Sequence, residues 1–452
     1  MNKIHDYLVH HLDMEHEASD LVKDLLEDNC ACNDLKEYFS NILCEETQTI
    51  VSMLQEEGYK NDERQEKVIQ AKLIDAMNRE VEKIDFTAHP LKSISMEESI
   101  KNQFRLVDIM HRHFDGYKAL EAGDYGCYVG LGRPKRTAEV EKVIAEYFHA
   151  EDCCFVRGAG TGAIRAILFA TVKHGMKVLV HDALMYVTTQ ITMDGLGAEL
   201  IRVDFNDINT VLDAVKSGVD MVYIQRTRQQ LNDSYDSVEL ISEIRKIDEK
   251  VKIVVDENYA VFKTKYLCCE VGADLSTFSC FKVMGVPGVG CIVGKKQFID
   301  KIREHNYSGG GQVQGPEAME ILRSLVNVHV LLGVQNLAVE EIYERLSNHE
   351  VEHVKDVQKA NIEERILLVK LDLPIAKQVI ARAHELGAIP NPVGSESRYE
   401  VHCLFYRVSR TMMEKNPIFG NYVIRVNPMR SGADTVIRIL RQAIDDVLSQ
   451  KV

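Results

Sequence analysis

Between residues 150 and 295 the chain repeats a pattern that few folds accommodate: a short, almost wholly apolar run, a turn, then a stretch of helical periodicity. The runs are CCFVRG, KVLVHD, ELIRVDF, MVYIQR, KIVVDEN, LSTFS and VGCIVG. Strands that lack a polar face are buried on both sides, which requires helices above and below a largely parallel sheet. TGAIRAILFATVKHG and SVELISEIRKIDEK read as two of those helices. The pattern predicts a three-layer α/β domain over residues 89–330. Beyond it, a long helical run leads to RILLVKLDL, ELGAIPNPVG and NYVIRVNPMRSG, a smaller α+β domain over 331–452.

Residues 1–88 differ in kind. The first ninety residues hold nine Lys/Arg against 21 Asp/Glu, a balance of −12 within a whole-chain net charge of −15. They contain one glycine, Gly58, and one proline, Pro90. Apolar residues recur at helical spacing, as in Leu21, Val22, Leu25, Leu26 and Val68, Ile69, Leu73, Ile74. An acidic all-α domain follows from this. It repels nucleic acid and anionic membrane and suits a basic protein surface as a partner. No run of 18 or more apolar residues predicts a membrane span. The start, MNKIHDYLVHHLDMEHE, lacks the apolar core of a secretion signal. Eleven cysteines without paired C-x-x-C spacing read as reduced thiols, hence a cytoplasmic protein. His10, His11 and His16 read as a solvated helix face and Cys30-x-Cys32 as incidental, so no metal is expected.

The chemistry gathers at strand ends. CCFVRG runs into Gly158-Ala159-Gly160-Thr161-Gly162 and then a helix, so free N–H groups and a positive dipole end face an anion, usually a phosphate. The same loop fits a permissive dinucleotide fingerprint, with Asp182 about 20 residues on, which admits an NAD-dependent oxidoreductase. The next features decide between them. Asp256 ends KIVVDEN with Tyr259 three residues later, and Lys282 follows the neighbouring strand LSTFS. Adjacent parallel strands end on the same sheet edge, where such folds bind ligands. An anion cradle, a buried carboxylate and a lysine amine on one rim suit a phosphorylated pyridine aldehyde. The amine condenses with the aldehyde, and the carboxylate keeps the ring nitrogen protonated. A nicotinamide needs neither. Pyridoxal 5'-phosphate (PLP) is the expected cofactor.

Together, G-x-G-T-G, D-E-N-Y, S-x-x-K and the G-x-x-G-x-G from Gly285 to Gly290 resemble a fold-type-I PLP enzyme of the aspartate aminotransferase superfamily. VRGAGTGAIRA, NYAV, STFSCFK and YSGG resemble the bacterial YhfS family from about residue 91 onward. The resemblance implies that Lys282 carries the internal aldimine and moves the α-proton, and that Asp256 pairs with the pyridinium nitrogen. It implies that Tyr259 contacts the phenolic oxygen, that Gly160, Thr161, Gly162 and Ser279 hold the phosphate, and that Gln225 touches the ring. Tyr186 would stack on the ring, in preference to serving as a core tyrosine after a strand. Arg425, with Arg430 as its competitor, would bind the substrate carboxylate. An aminotransferase-like enzyme acting on a small amino acid, assembled as a homodimer, is the first expectation. A β/γ-eliminating carbon–sulfur lyase is the alternative, because IQRTRQQLNDSY stands where many transaminases have N-P-x-N-P-T-G and resembles aluminium-resistance proteins related to such lyases.

Overall fold

The computed structural model describes residues 2–26, 42–59, 63–363, 365–391 and 396–449. Its central sheet has seven strands: β1 (Asp152–Arg157), β2 (Lys177–His181), β3 (Glu199–Val203), β4 (Met221–Gln225), β5 (Lys252–Asp256), β6 (Leu275–Ser279) and β7 (Val289–Gly294). Their order is β1-β7-β6-β5-β4-β2-β3. Strands β3, β2, β4, β5 and β6 are parallel neighbours, while β7 runs antiparallel to both β6 and β1. Helix Ala159–Thr171 packs with Val156, Tyr223 and Ile292 on one face; Ser237–Ile247 packs with Val222, Ile224 and Val255 on the other. These are the three layers that the apolar strands demand.

A second sheet is antiparallel, ordered β10-β11-β9-β8, from β8 (Val354–Ala360), β9 (Ile366–Leu371), β10 (Leu404–Arg407) and β11 (Val423–Asn427). Helix Gly315–Ser347 runs through the 330/331 boundary and joins the two sheets. It has the length and apolarity of a membrane span. Its apolarity serves two cores instead: Leu322, Leu325 and Leu332 pack with the large sheet, Val339 and Ile342 with the small one.

The N-terminal residues form helices Asn2–His11, Ala18–Leu26, Cys44–Glu56 and Glu63–Glu82. They share a core with the small sheet: Ile4, Leu8, Leu21, Ile50, Leu73 and Met77 belong to the same apolar cluster as Leu367, Val369 and Ile424. Polar ties reinforce the junction. Tyr422 Oη donates to Asn78 Oδ1 at 2.8 Å, and Phe86 meets Phe419 edge-on at 5.5 Å. Buried Glu80 accepts the backbone N–H groups of Glu15, His16 and Glu17 and pairs with His16 Nδ1 at 2.8 Å. His16 thus lies in the loop between the first two helices, tied to Glu80, and not on a helix face. Cys30 and Cys32 lie outside the described residues.

One core residue makes the fold sensitive to acid. His329, fully buried, lies edge-on to Phe262 at 4.8 Å, and neither ring nitrogen has a hydrogen-bond partner among the described residues. Burial, aided by the charge of Arg105, pushes its pKa down to about 3. The unfolded chain takes up this proton near pH 6.5 and the folded one near 3. Stability is therefore fully present above 6.5 and falls as pH drops towards 3, by up to ~1.4 kcal/mol per pH unit. His329→Phe should flatten that slope, read as the difference in urea midpoint between ~pH 7.5 and ~pH 5. An unchanged slope would show that His329 titrates in the folded protein as it does in the unfolded chain.

Candidate active site

Strands β4, β5 and β6 end together, with Gln225 opposite Asp256 and Asp256 opposite Thr277. The edge opens into a cavity of about 700 Å³ lined by Gly160, Thr161, Tyr186, Gln225, Asp256, Tyr259, Ser279, Lys282 and Arg425. Strand alternation separates the adjacent acids of D-E-N-Y. Asp256 faces the cavity. Glu257 points behind the sheet, where it pairs with Arg226 at 2.8 Å and accepts the Cys268 N–H at 2.6 Å.

Lys282 sits on the tight turn Cys280–Val283, which closes through Met284 in the left-handed region (φ 65°). The turn brings Lys282 Nζ to 3.6 Å from the centroid of the Tyr259 ring. Burial raises the Asp256 carboxyl above its ordinary value, opposed by the Asn258 donors and the charge of Lys282. Asn258, which the sequence analysis did not single out, locks this corner. Its N–H and Nδ2 donate to Asp256 Oδ1 at 2.9 and 2.7 Å, and its Oδ1 accepts from Ser279 N at 2.9 Å.

The anion cradle forms where β1 turns into helix Ala159–Thr171. Gly158 is the N-cap in the left-handed region, with no side chain capping the helix, so the first N–H groups face the cavity. A Cβ on Gly160 would come within 2.7 Å of the Asn258 amide. Gly162 has a packing role rather than the phosphate contact expected. Its N–H donates to Gly158 O, a Cβ there would lie 1.9 Å from Arg157 O, and it does not line the cavity.

The small domain contributes the far wall. Arg425, in the middle of β11, stacks its guanidinium 4.4 Å from the Tyr406 ring, and its buried Nε has no hydrogen-bond partner among the described residues. A buried, unpaired guanidinium beside a cavity is a receptor for a planar oxyanion. Arg430 is placed elsewhere. It donates to Gln335 Oε1 at 3.0 Å and to Met429 O, and lines a separate cavity with Met284 and Arg398. Arg365 is a cation of the site that the sequence analysis missed. Its guanidinium lies 3.6 Å from the Tyr259 ring, and its Nε is 3.2 Å from Glu396. Buried Glu396 also pairs with Lys263 and accepts from Gln335 and Asn427.

Tyr186, 58% exposed, stands at the cavity lip before helix Val187–Leu196. Thr227, Arg228 and Gln229, from the stretch that replaces N-P-x-N-P-T-G, also line the cavity. Asp233 anchors this segment, accepting the Gln229 and Gln230 N–H groups and pairing with His181 Nε2 at 2.9 Å. His181 Nδ1 accepts the Phe205 N–H. Asp182 lies 3.3 Å from His181 Nδ1, and it is not among the cavity residues.

The parts fit PLP. An uncapped helix start suits the phosphate, Asp256 is a buried carboxylate suited to a ring cation, and Lys282 reaches the same space. Fold and site together define a fold-type-I PLP-dependent enzyme. The nicotinamide alternative falls with that assignment.

The chain belongs to the Cys/Met metabolism PLP-dependent enzymes, whose family profile matches residues 105–365; the YhfS-like C-terminal domain matches residues 340–440. It is 44% identical over 359 residues to Escherichia coli YhfS, spanning 79% of this chain and 99% of that protein. The crystal structure of PLP-dependent YhfS from Escherichia coli superposes with a TM-score of 0.78, covering 80% of this chain and 99% of that one. L-methionine gamma-lyase of Treponema denticola is 27% identical over 242 residues, 51% of this chain and 59% of its own. A carbon–sulfur lyase from Clostridium novyi shares the fold at a TM-score of 0.58 and 17% identity, covering 79% of this chain and 91% of that one.

Proposed function

We propose that the protein is a lyase that eliminates a β or γ substituent from a small amino acid. The observation that carries this reading is the Cys/Met metabolism match across the part of the chain that builds the cofactor site. Similarity to L-methionine gamma-lyase supports it. The aminotransferase first expected from D-E-N-Y and Arg425 finds no such support, because those residues serve steps common to both reactions.

PLP supplies an electron sink for the pair left at the substrate α-carbon. Arg425 clamps the α-carboxylate and fixes which bond stands over the sink. Lys282 accepts the α-proton at Nζ and returns a proton later, while Asp256 holds a proton on the ring nitrogen. Tyr186 supplies an aromatic plane at the lip. The holoenzyme incubated with L-cystathionine should release ammonia and a keto acid without any added keto acid. Turnover that requires an added keto acid and releases no ammonia would restore the aminotransferase reading.

The proposed assembly is a cytoplasmic homodimer. The described cysteines are free thiols. Tyr117, Leu120, Tyr125 and Val129 expose an apolar surface, as does Tyr307 beside the glycine-rich Gly309–Gly311 turn. Residues 1–88 are proposed as an acidic assembly or regulatory unit that accepts a basic protein partner.

A further inference from the structure

We infer that the substrate's side chain ends in an oxyanion, a carboxylate or a phosphate. This rests on the reading above only in taking the ligand to be an amino acid. The cavity wall carries Lys282 and five arginines against one carboxylate, Asp256. Three of the arginines are accounted for. Arg365 is held by Glu396, which it shares with Lys263, Arg228 holds the His89 and Tyr235 carbonyls at 2.9 and 2.6 Å, and Arg425 takes the α-carboxylate. The phosphate cradle lies on the opposite, large-domain wall and is built from N–H groups.

Arg410 and Arg202 remain. Arg202 is exposed and donates to Gln190 Oε1 at 2.7 Å, keeping its charge. Arg410 follows β10, the strand on which Tyr406 lies opposite Arg425, and opens the turn Arg410–Met413 capped by Ser409. It is exposed on the cavity wall and forms no ion pair among the described residues. One guanidinium, Arg425, thus sits deep and a second, Arg410, stands further out on the same wall. An amino acid with a neutral side chain would satisfy the first and leave the second idle. One with an anionic end bridges both.

Calorimetric titration of the holoenzyme with L-glutamate, O-phospho-L-serine and the neutral L-norvaline tests this. Glutamate or phosphoserine should bind about tenfold more tightly than norvaline, as a charge-assisted pair at a partly open site provides. Preference for one of the two identifies the oxyanion. Arg410→Gln should abolish the preference and Arg410→Lys keep part of it. Norvaline binding as tightly as both anions, or a preference that survives Arg410→Gln, overturns the inference while leaving the lyase reading intact. Failure of every amino acid to bind overturns both.

Discussion

Lys282→Ala should yield a folded, colourless protein whose turnover is lower by about 10⁴-fold or more, the upper range for loss of a group that moves the reacting proton. Borohydride treatment of the wild type should fix the chromophore on the peptide that contains Lys282, and mass spectrometry reads the position directly. The structure supplies its own control. Lys263 is a buried lysine of the same domain, 1% exposed at its side chain, and its ammonium is paired with Glu396. An amine held in an ion pair is not free to condense with an aldehyde. Label on Lys263 would overturn the assignment.

Asp256→Asn should retain cofactor and lose about 10³-fold in turnover. At ~4 Å and an effective dielectric of ~20, the carboxylate attracts a ring cation by about 4 kcal/mol, roughly 3 pKa units, which decides the protonation state of the ring at neutral pH. Asparagine keeps the Oδ1 that accepts both Asn258 donors, so the geometry survives and the charge does not. The apoprotein gives a second readout of opposite sign. Burial raises the folded pKa of Asp256 above its unfolded value, so ionising the carboxylate as pH rises costs stability. At neutral pH the apo Asn variant should melt above the apo wild type. A lower melting temperature would mean that the carboxylate has a stabilising partner in the apoprotein.

Much of this was legible in the chain because burial on both faces leaves a mark. The inner strands β2, β4, β5, β6 and β7 are nearly continuous apolar runs, and the edge that gathers Gln225, Asp256 and Ser279 follows from the parallel order of β4, β5 and β6. Strand β8, VKDVQKA, escaped because it is half polar at the sheet edge, and β10, LFYR, because four residues carry no period. Arg425 and Arg430 are five residues apart, and no local signal separates them. The fold does: one lies within β11 and the other just beyond it, past Pro428. Arg365 lay hidden in the polar run NIEER, where it reads as surface. Its partner Glu396 is 31 residues away, and only the tertiary fold brings the two together. Asn258 was in view inside D-E-N-Y, but its work is done through two neighbours on different strands.

The common core of the N-terminal helices and the small sheet has a mechanical consequence. Arg425, Arg365 and Arg410 all belong to the small domain, so any rotation that brings them onto a bound substrate carries residues 2–26, 42–59 and 63–86 along as cargo. Lys355 on β8 grips Glu82, and Lys370 on β9 lies 3.4 Å from the Val81 carbonyl, which leaves little slip in the attachment. The acidic helices thus form one arm of a lever whose other arm carries the cavity arginines. A dye on an exposed position of helix Asn2–His11 would move with that rotation and report closure without entering the cavity.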